Sequence, residues 1–305
     1  MKQVLLSFQV KNGPGQYEVG STSFTHFFDG FAKLCMVNFT GEQMIEFSTK
    51  ILPTMSYNSS LYYDTITPYI FFGDLDPPMG VIQKLQAVWH RSDNCPVNVH
   101  RLPSLDSPPL DEVLLMSDTL TMYQFNVDNF VETRRVQPTI SAGNQRNHLV
   151  PIMSSAHPLK EHNGNTFLTI MSEYNPLGSN ALHLVRMTSA SERDVLFTIP
   201  IEELAFMHSF GLSMNYAVLF YDPFFLSAQK TLEQANEISA VNWNPQISTK
   251  VHVINLASGH MFQVDTKPGV HLHHVNTFDC SLLHSLSSYF APSVSGHEKR
   301  SVEVF

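Results

Sequence analysis

The chain reads as an all-β protein of sandwich, barrel or propeller type, and the spacing of three histidines selects the β-propeller. Three observations predict this. Short apolar or alternating runs recur along the whole sequence, bounded by Gly, Pro, Asn and Asp, the pattern of many brief strands. Eighteen prolines interrupt nearly every longer window, and proline inside a helix removes a hydrogen bond and clashes with the preceding turn. His157, His208 and His273 stand 51 and 65 residues apart, about one blade plus a loop at the roughly 40–50 residues a blade takes. Ligands at that interval would point into one central channel from successive inner strands.

Taken in order, residues 1–10 form an apolar run with one Lys. The run is too short for a signal peptide and lacks a small-residue cleavage site, so it reads as a strand. Further strands are expected at 34–39, 166–171, 181–187, 195–199, 216–221 and 250–256. In the last of these Val251 and Val253 alternate with Lys250 and His252, a half-buried pattern. Two helices are expected. Residues 79–90 place Val81, Leu85 and Val88 on one side, with Ile82 and Trp89 nearby; residues 227–238 are the weaker case. Finally, 269–279 read G-V-H-L-H-H-V-N-T-F-D. As an extended strand, this stretch turns His271 and His273 to one face and His274 to the other.

Composition excludes several classes. At 305 residues, with 43% apolar and 15% charged residues, the chain is globular, as two domains or one large all-β domain. A net charge of −9 without a basic run argues against nucleic acid as a partner. Cys35, Cys95 and Cys280 are scattered and odd in number, giving neither a disulfide framework nor a C-x-x-C site. No apolar stretch of about 18 residues is present to span a bilayer. The triplets beginning at Asn38 and Asn58 are glycosylation sequons of a kind that arises by chance. The compartment reads as cytoplasmic.

Each histidine alone is more often a satisfied core residue than a ligand. Together, the context strengthens the metal reading. Pro158 fixes the backbone after His157, and Ser209 and Gly211 let the chain beside His208 approach a site closely. Imidazole suits Fe, Zn, Cu and Ni, so spacing does not choose the metal.

The motifs around these residues resemble those of the carotenoid cleavage oxygenases. They are S-A-H-P with N-G-N-T-F, M-H-S-F-G-L-S-M-N-Y and L-H-H-V-N-T-F-D, preceded by K-N-G-P-G-Q-Y-E-V-G and H-F-F-D-G-F-A. D-N-C-P-V-N-V and S-D-T-L-T-M-Y are similar to the animal branch, which holds the beta-carotene oxygenases and the retinoid isomerohydrolase. The resemblance implies a seven-bladed propeller carrying one Fe(II) on four histidines. Three of these carry over as His157, His208 and His273, leaving His271 and His274 structural. It also implies an acid behind a ligand ring, assigned to Asp118 where the family has Glu; a solvent-facing turn Asp is the other reading. Phe224, Phe225 and Leu226 would form an apolar mouth touching a membrane surface, with a buried plug between blades as the rival.

The implied activity is dioxygenase cleavage of a carotenoid or apocarotenoid with O₂. A retinoid isomerohydrolase, or a truncated propeller that only binds lipophilic pigment, are the alternatives. Two departures stand out. Leu159 replaces the usual second His of A-H-P-H, and the pattern ends after Asp279. Residues 1–279 are therefore read as an incomplete propeller, and 280–305, with His284 and His297, as a divergent tail from a fragment.

Overall fold

The computed structural model describes residues 7–39, 45–90, 92–101, 112–128, 130–141, 150–162, 166–175, 177–270, 273, 275, 277–280 and 301–304. Four antiparallel sheets follow one another along the chain. The first joins Ser7–Gln16, Phe31–Phe39 and Ile45–Ile51. The second joins Asn98–His100, Glu112–Met116, Met122–Asn126 and Val131–Val136 in sequence order. In the third, Val150–Ser154, Phe167–Tyr174, Asn180–Met187 and Glu192–Ile201 are neighbours, with Thr139–Ser141 added in parallel at the far edge. The fourth joins Gly211–Leu212, Tyr216–Tyr221, Thr249–Asn255 and Met261–Thr266. A four-stranded meander repeated in this way is the unit of a propeller.

Burial explains why these sheets stack. Val113 and Leu115 pack with Ala32 and Leu34 of the first sheet. Their neighbours Leu114 and Met116 point the other way, to Met187 beyond. Between the third and fourth sheets, Leu168, Ile170, Leu182 and Leu184 meet Leu212, Ala217, Leu219 and Ile254. Both faces of an inner strand are thus covered, which suits an unbroken apolar run such as V-L-L-M rather than alternation. The same logic corrects the reading of residues 250–256. Lys250 is exposed but His252 is only 4% exposed, because a second sheet face lies against its side.

The four α-helices among the described residues differ in instructive ways from expectation. Helix α1 (Met55–Tyr63) has no apolar periodicity to announce it. Thr54 caps it through the Tyr57 N–H at 3.1 Å, and Asp93 accepts from the N–H groups of Met55 and Ser56 at 2.8 and 3.0 Å. An anion at a helix N-terminus satisfies donors that the helix itself leaves open. Helix α2 (Val81–Trp89) lies where expected, but buries Ala87 and leaves Val81, Ile82, Leu85 and Trp89 facing outward. The stretch 227–238 breaks into α3 (Ala228–Gln234) and α4 (Glu237–Ala240), with Ala235 in the left-handed conformation at the end of α3.

In the segment 269–279, strand structure among the described residues is found at Thr277–Cys280, which pairs with Ser301–Val304, and not at 269, 270, 273 or 275. Within it His271, His274 and Asn276 lie outside the described residues, as do His284 and His297 of the tail. Residues 1–6 of the opening run also lie outside them, and the first strand starts at Ser7.

The D-N-C-P motif ties three units together. Asp93, 2% exposed, also accepts from Ser56 Oγ and, at 2.6 Å, from the Tyr123 hydroxyl. Asn94 Oδ1 takes the Ala32 N–H at 2.9 Å and its amide donates to Gly30 O at 3.0 Å. Replacing Asp93 by Ala leaves two helix N–H groups and a buried phenol without an acceptor. Chemical denaturation should show a loss of about 3 kcal/mol, whereas a loss below about 0.5 kcal/mol would place Asp93 among ordinary surface-like residues.

Candidate metal centre

Each candidate ligand lies beside an edge strand of a sheet. His157 follows Val150–Ser154, His208 precedes Gly211–Leu212, and His273 precedes Thr277–Cys280. Buried Ser155 joins the first two: its hydroxyl donates to the His208 carbonyl at 2.5 Å and accepts the His157 N–H at 3.1 Å. Gly211 admits the third. A Cβ there would come within 2.4 Å of Thr277 Cγ2 and 3.1 Å of Val275 Cγ1, so glycine lets the segment carrying His273 lie close.

The structure brings all three imidazoles together. One nitrogen from each ring lies within 4.8 Å of the others, and ring centroids are 4.4 Å apart for His157–His208 and His208–His273, and 5.6 Å for His157–His273. His157 Nε2 and His208 Nε2 are 2.8 Å apart. Nitrogens this close share a proton or a cation between them. Imidazole ligands at about 2.1 Å from an ion, at right angles, would be about 3 Å apart, so the donor set fits a single metal. His157 is half-buried, His208 buried and His273 exposed.

Asp118 sets the chemistry of one ring. Its Oδ2 accepts from His208 Nδ1 at 2.6 Å, which fixes the proton on Nδ1 and leaves the Nε2 lone pair for a metal. Its Oδ1 accepts the Ala156 N–H at 3.1 Å, and its carbonyl accepts from Ser154 N at 3.1 Å. One residue therefore aims His208 and holds the backbone on which His157 stands. Although shorter than Glu, it reaches the ring because its loop lies against 154–156.

Sequence reasoning overlooked Asn98. Its amide nitrogen donates to Ala156 O at 2.8 Å and stands 3.2 Å from His157 Nδ1. The signal was present in D-N-C-P-V-N-V, whose second Asn is this residue. An amide therefore neighbours the second nitrogen of His157, where a carboxylate serves His208.

Aromatic rings lead away from the cluster. Phe206 lies parallel to His208 at 6.4 Å, and Phe72 and Phe224 meet Phe206 edge-on at 6.2 and 6.3 Å. Phe28, exposed, lies 5.4 Å beyond Phe72. Phe224, Phe225 and Leu226 form one short strand, paired with Val241–Trp243. Phe225 is buried in the core, and Phe224 and Leu226 are half-buried. An outward apolar stripe also lies on α2, where Val81, Ile82, Leu85 and Trp89 are exposed.

Known proteins place the chain. The family model described as retinal pigment epithelial membrane protein matches residues 8–300. The chain is 22% identical over 290 residues to a mitochondrial carotenoid-cleaving dioxygenase of Mustela putorius furo, a match covering 88% of this chain and 50% of that protein. It is 23% identical over 304 residues to a beta,beta-carotene 15,15'-dioxygenase of Gallus gallus, covering 88% and 53% respectively. Among solved structures, a cobalt-substituted Synechocystis apocarotenoid oxygenase superposes with a TM-score of 0.71 at 17% identity, covering 96% of this chain and 61% of that one. The chain spans about half the length of the curated relatives it matches.

Replacing Asp118 by Ala should weaken divalent-metal binding by about 10–100-fold in a direct titration. Asp118→Glu should restore most of it, and a full-strength site in Asp118→Ala would show that the carboxylate does not act on the ring.

Proposed function

The chain belongs to the retinal pigment epithelial membrane protein family, and we propose that its site serves the oxidative cleavage of a carotenoid or apocarotenoid double bond, with Fe(II) as cofactor and O₂ as co-substrate. The observation that carries this reading is the convergence of His157, His208 and His273 from successive sheets. The curated relatives named above are carotenoid-cleaving dioxygenases, and the cobalt-substituted neighbour is an oxygenase that holds a metal. Residues 1–279 form the propeller portion in this reading, and 280–305 a tail whose Ser301–Val304 pairs back onto Thr277–Cys280.

Within it, the three imidazoles hold the ion. All are neutral donors, so a divalent ion keeps its charge and supplies the activation of oxygen. Asp118 keeps the His208 proton on Nδ1 and the ring in place. Phe206, Phe72 and Phe224 offer flat apolar surface to a polyene and keep water from the reacting bond. His273, on the exposed side, completes the donor set only if its segment stays against Gly211.

Coexpression with a carotenoid-producing bacterium should bleach the cells and yield an aldehyde or ketone product, and His208→Ala should abolish both. Unchanged colour with soluble, iron-loaded protein would count against the reading. In thermal melts, removing metal with a chelator should lower Tm, since an ion bound only by the folded state stabilises it.

Substrate of this kind resides in membranes, and α2 supplies a fitting contact. Ile82 and Trp89 are 74% and 84% exposed, with Val81 and Leu85 beside them. An apolar helical stripe left in water gains by lying at a lipid interface. Among the described residues no helix is long and apolar enough to cross a membrane. The double substitution Ile82→Ser with Trp89→Ser should reduce sedimentation with phosphatidylcholine vesicles by roughly tenfold while leaving metal binding unchanged; equal sedimentation would remove α2 from the contact.

A further inference from the structure

The two ligand rings whose nitrogens meet at 2.8 Å have opposite neighbours on their far sides. Behind His208 stands a carboxylate, which accepts; behind His157 stands the amide of Asn98. The backbone around that amide sets its orientation. Asn98 Oδ1 accepts the Val99 N–H at 2.8 Å, and Asn98 Nδ2 donates to Ala156 O at 2.8 Å. Turned end for end, the amide would set its oxygen against the Ala156 carbonyl and its hydrogens against the Val99 N–H. Strand pairing with Met116 holds the residue in place, as does Asn12, whose amide donates to the Asn98 carbonyl at 3.3 Å.

The nitrogen of a side-chain amide carries two hydrogens and accepts nothing. One hydrogen goes to Ala156 O. The other is available to His157 Nδ1, 3.2 Å away, which must therefore accept it. A neutral imidazole has a single proton, so that of His157 sits on Nε2. Its acceptor is at hand: Asp118 keeps the His208 proton on Nδ1, leaving a lone pair on His208 Nε2, 2.8 Å from His157 Nε2. Asn98, His157, His208 and Asp118 thus form one chain of hydrogen bonds in which every donor meets an acceptor. With its proton on Nδ1, His157 would face the amide donor to donor.

We propose that Asn98 is a positioning residue that keeps the His157 proton on Nε2, and so makes His157 the weak, exchangeable member of the three-histidine set. The proposal rests on the metal reading above and ranks its ligands. An imidazole binds an ion through a lone pair, and the nitrogen of His157 that faces His208 is Nε2. Asp118 prepares His208 for ligation, whereas Asn98 opposes it in His157. Taking an ion at Nε2 requires the His157 proton to move to Nδ1, against the amide. An acceptor behind a ligand ring strengthens a metal site by about 10–100-fold; a donor in that place acts in the opposite sense.

The test uses the full chain, stripped of metal with a chelator and isotope-labelled at its histidine ring nitrogens, at about pH 8, where imidazoles are neutral. Nitrogen–proton correlation spectra, with the His157 signals assigned by their loss in His157→Gln, should show its proton on Nε2 in the wild type. Asn98→Asp, which can only accept, should turn that proton to Nδ1 and tighten Co(II) binding by roughly tenfold. Asn98→Leu, which neither donates nor adds charge, should also tighten Co(II) binding, by a smaller factor. A residue that merely supports the fold would weaken binding when replaced and leave the tautomer where it is. A His157 proton on Nδ1 in the wild type, or Co(II) binding no tighter in Asn98→Leu than in the wild type, would overturn the proposal. If the Leu variant does not fold, the wild-type tautomer decides alone. A wild type that binds no Co(II) at all removes the metal reading, and the ligand ranking with it.

Discussion

The site depends on one short contact, the 2.6 Å hydrogen bond from His208 Nδ1 to Asp118 Oδ2. A charge-assisted bond of this length, mostly shielded from water, is stronger than a neutral one. It chooses the tautomer of His208 and so decides which nitrogen is free for a metal. The other carboxylate oxygen holds the Ala156 N–H, so the same residue sets the position of His157. Two ligand segments from two sheets therefore share one anchor, and Ser155 repeats the link from the other side. A propeller brings inner strands to an axis only approximately, and these bonds supply the final alignment.

Much of the fold was legible because it rests on local rules. The strand 216–221 is observed as Tyr216–Tyr221; 34–39, 181–187 and 195–199 fall inside observed strands, and 166–171 and 250–256 overrun Phe167–Tyr174 and Thr249–Asn255 by one residue each. What was not legible depends on contacts distant in sequence. Helix α1 has no apolar stripe; its first turn is held by Asp93, more than thirty residues onward. His252 looked solvent-facing by alternation, and the stacking of sheets buries it. The histidine-rich stretch 269–279 was read as extended throughout, whereas among its described residues the strand is found at 277–279 and not at 273 or 275.

The candidate site divides in the same way. His157, His208 and His273 were identifiable from motif and spacing, and the structure brings their rings together. Asn98 sat unassigned inside a quoted motif, because nothing in the sequence says that it reaches Ala156 and His157 across 58 and 59 residues. Apolar residues behaved similarly: Phe225 is core, while the outward stripe of α2 is exposed although its pattern resembles that of any half-buried helix.

The central claim is that imidazoles from three successive sheets share one ion. X-ray absorption at the iron edge of the Fe(II)-loaded chain tests it most directly. The account predicts a first shell with about three imidazole nitrogens near 2.1 Å, showing the multiple-scattering pattern of the rings. A shell of oxygen donors alone, or one unchanged when His157, His208 and His273 are all replaced by Ala, would contradict it.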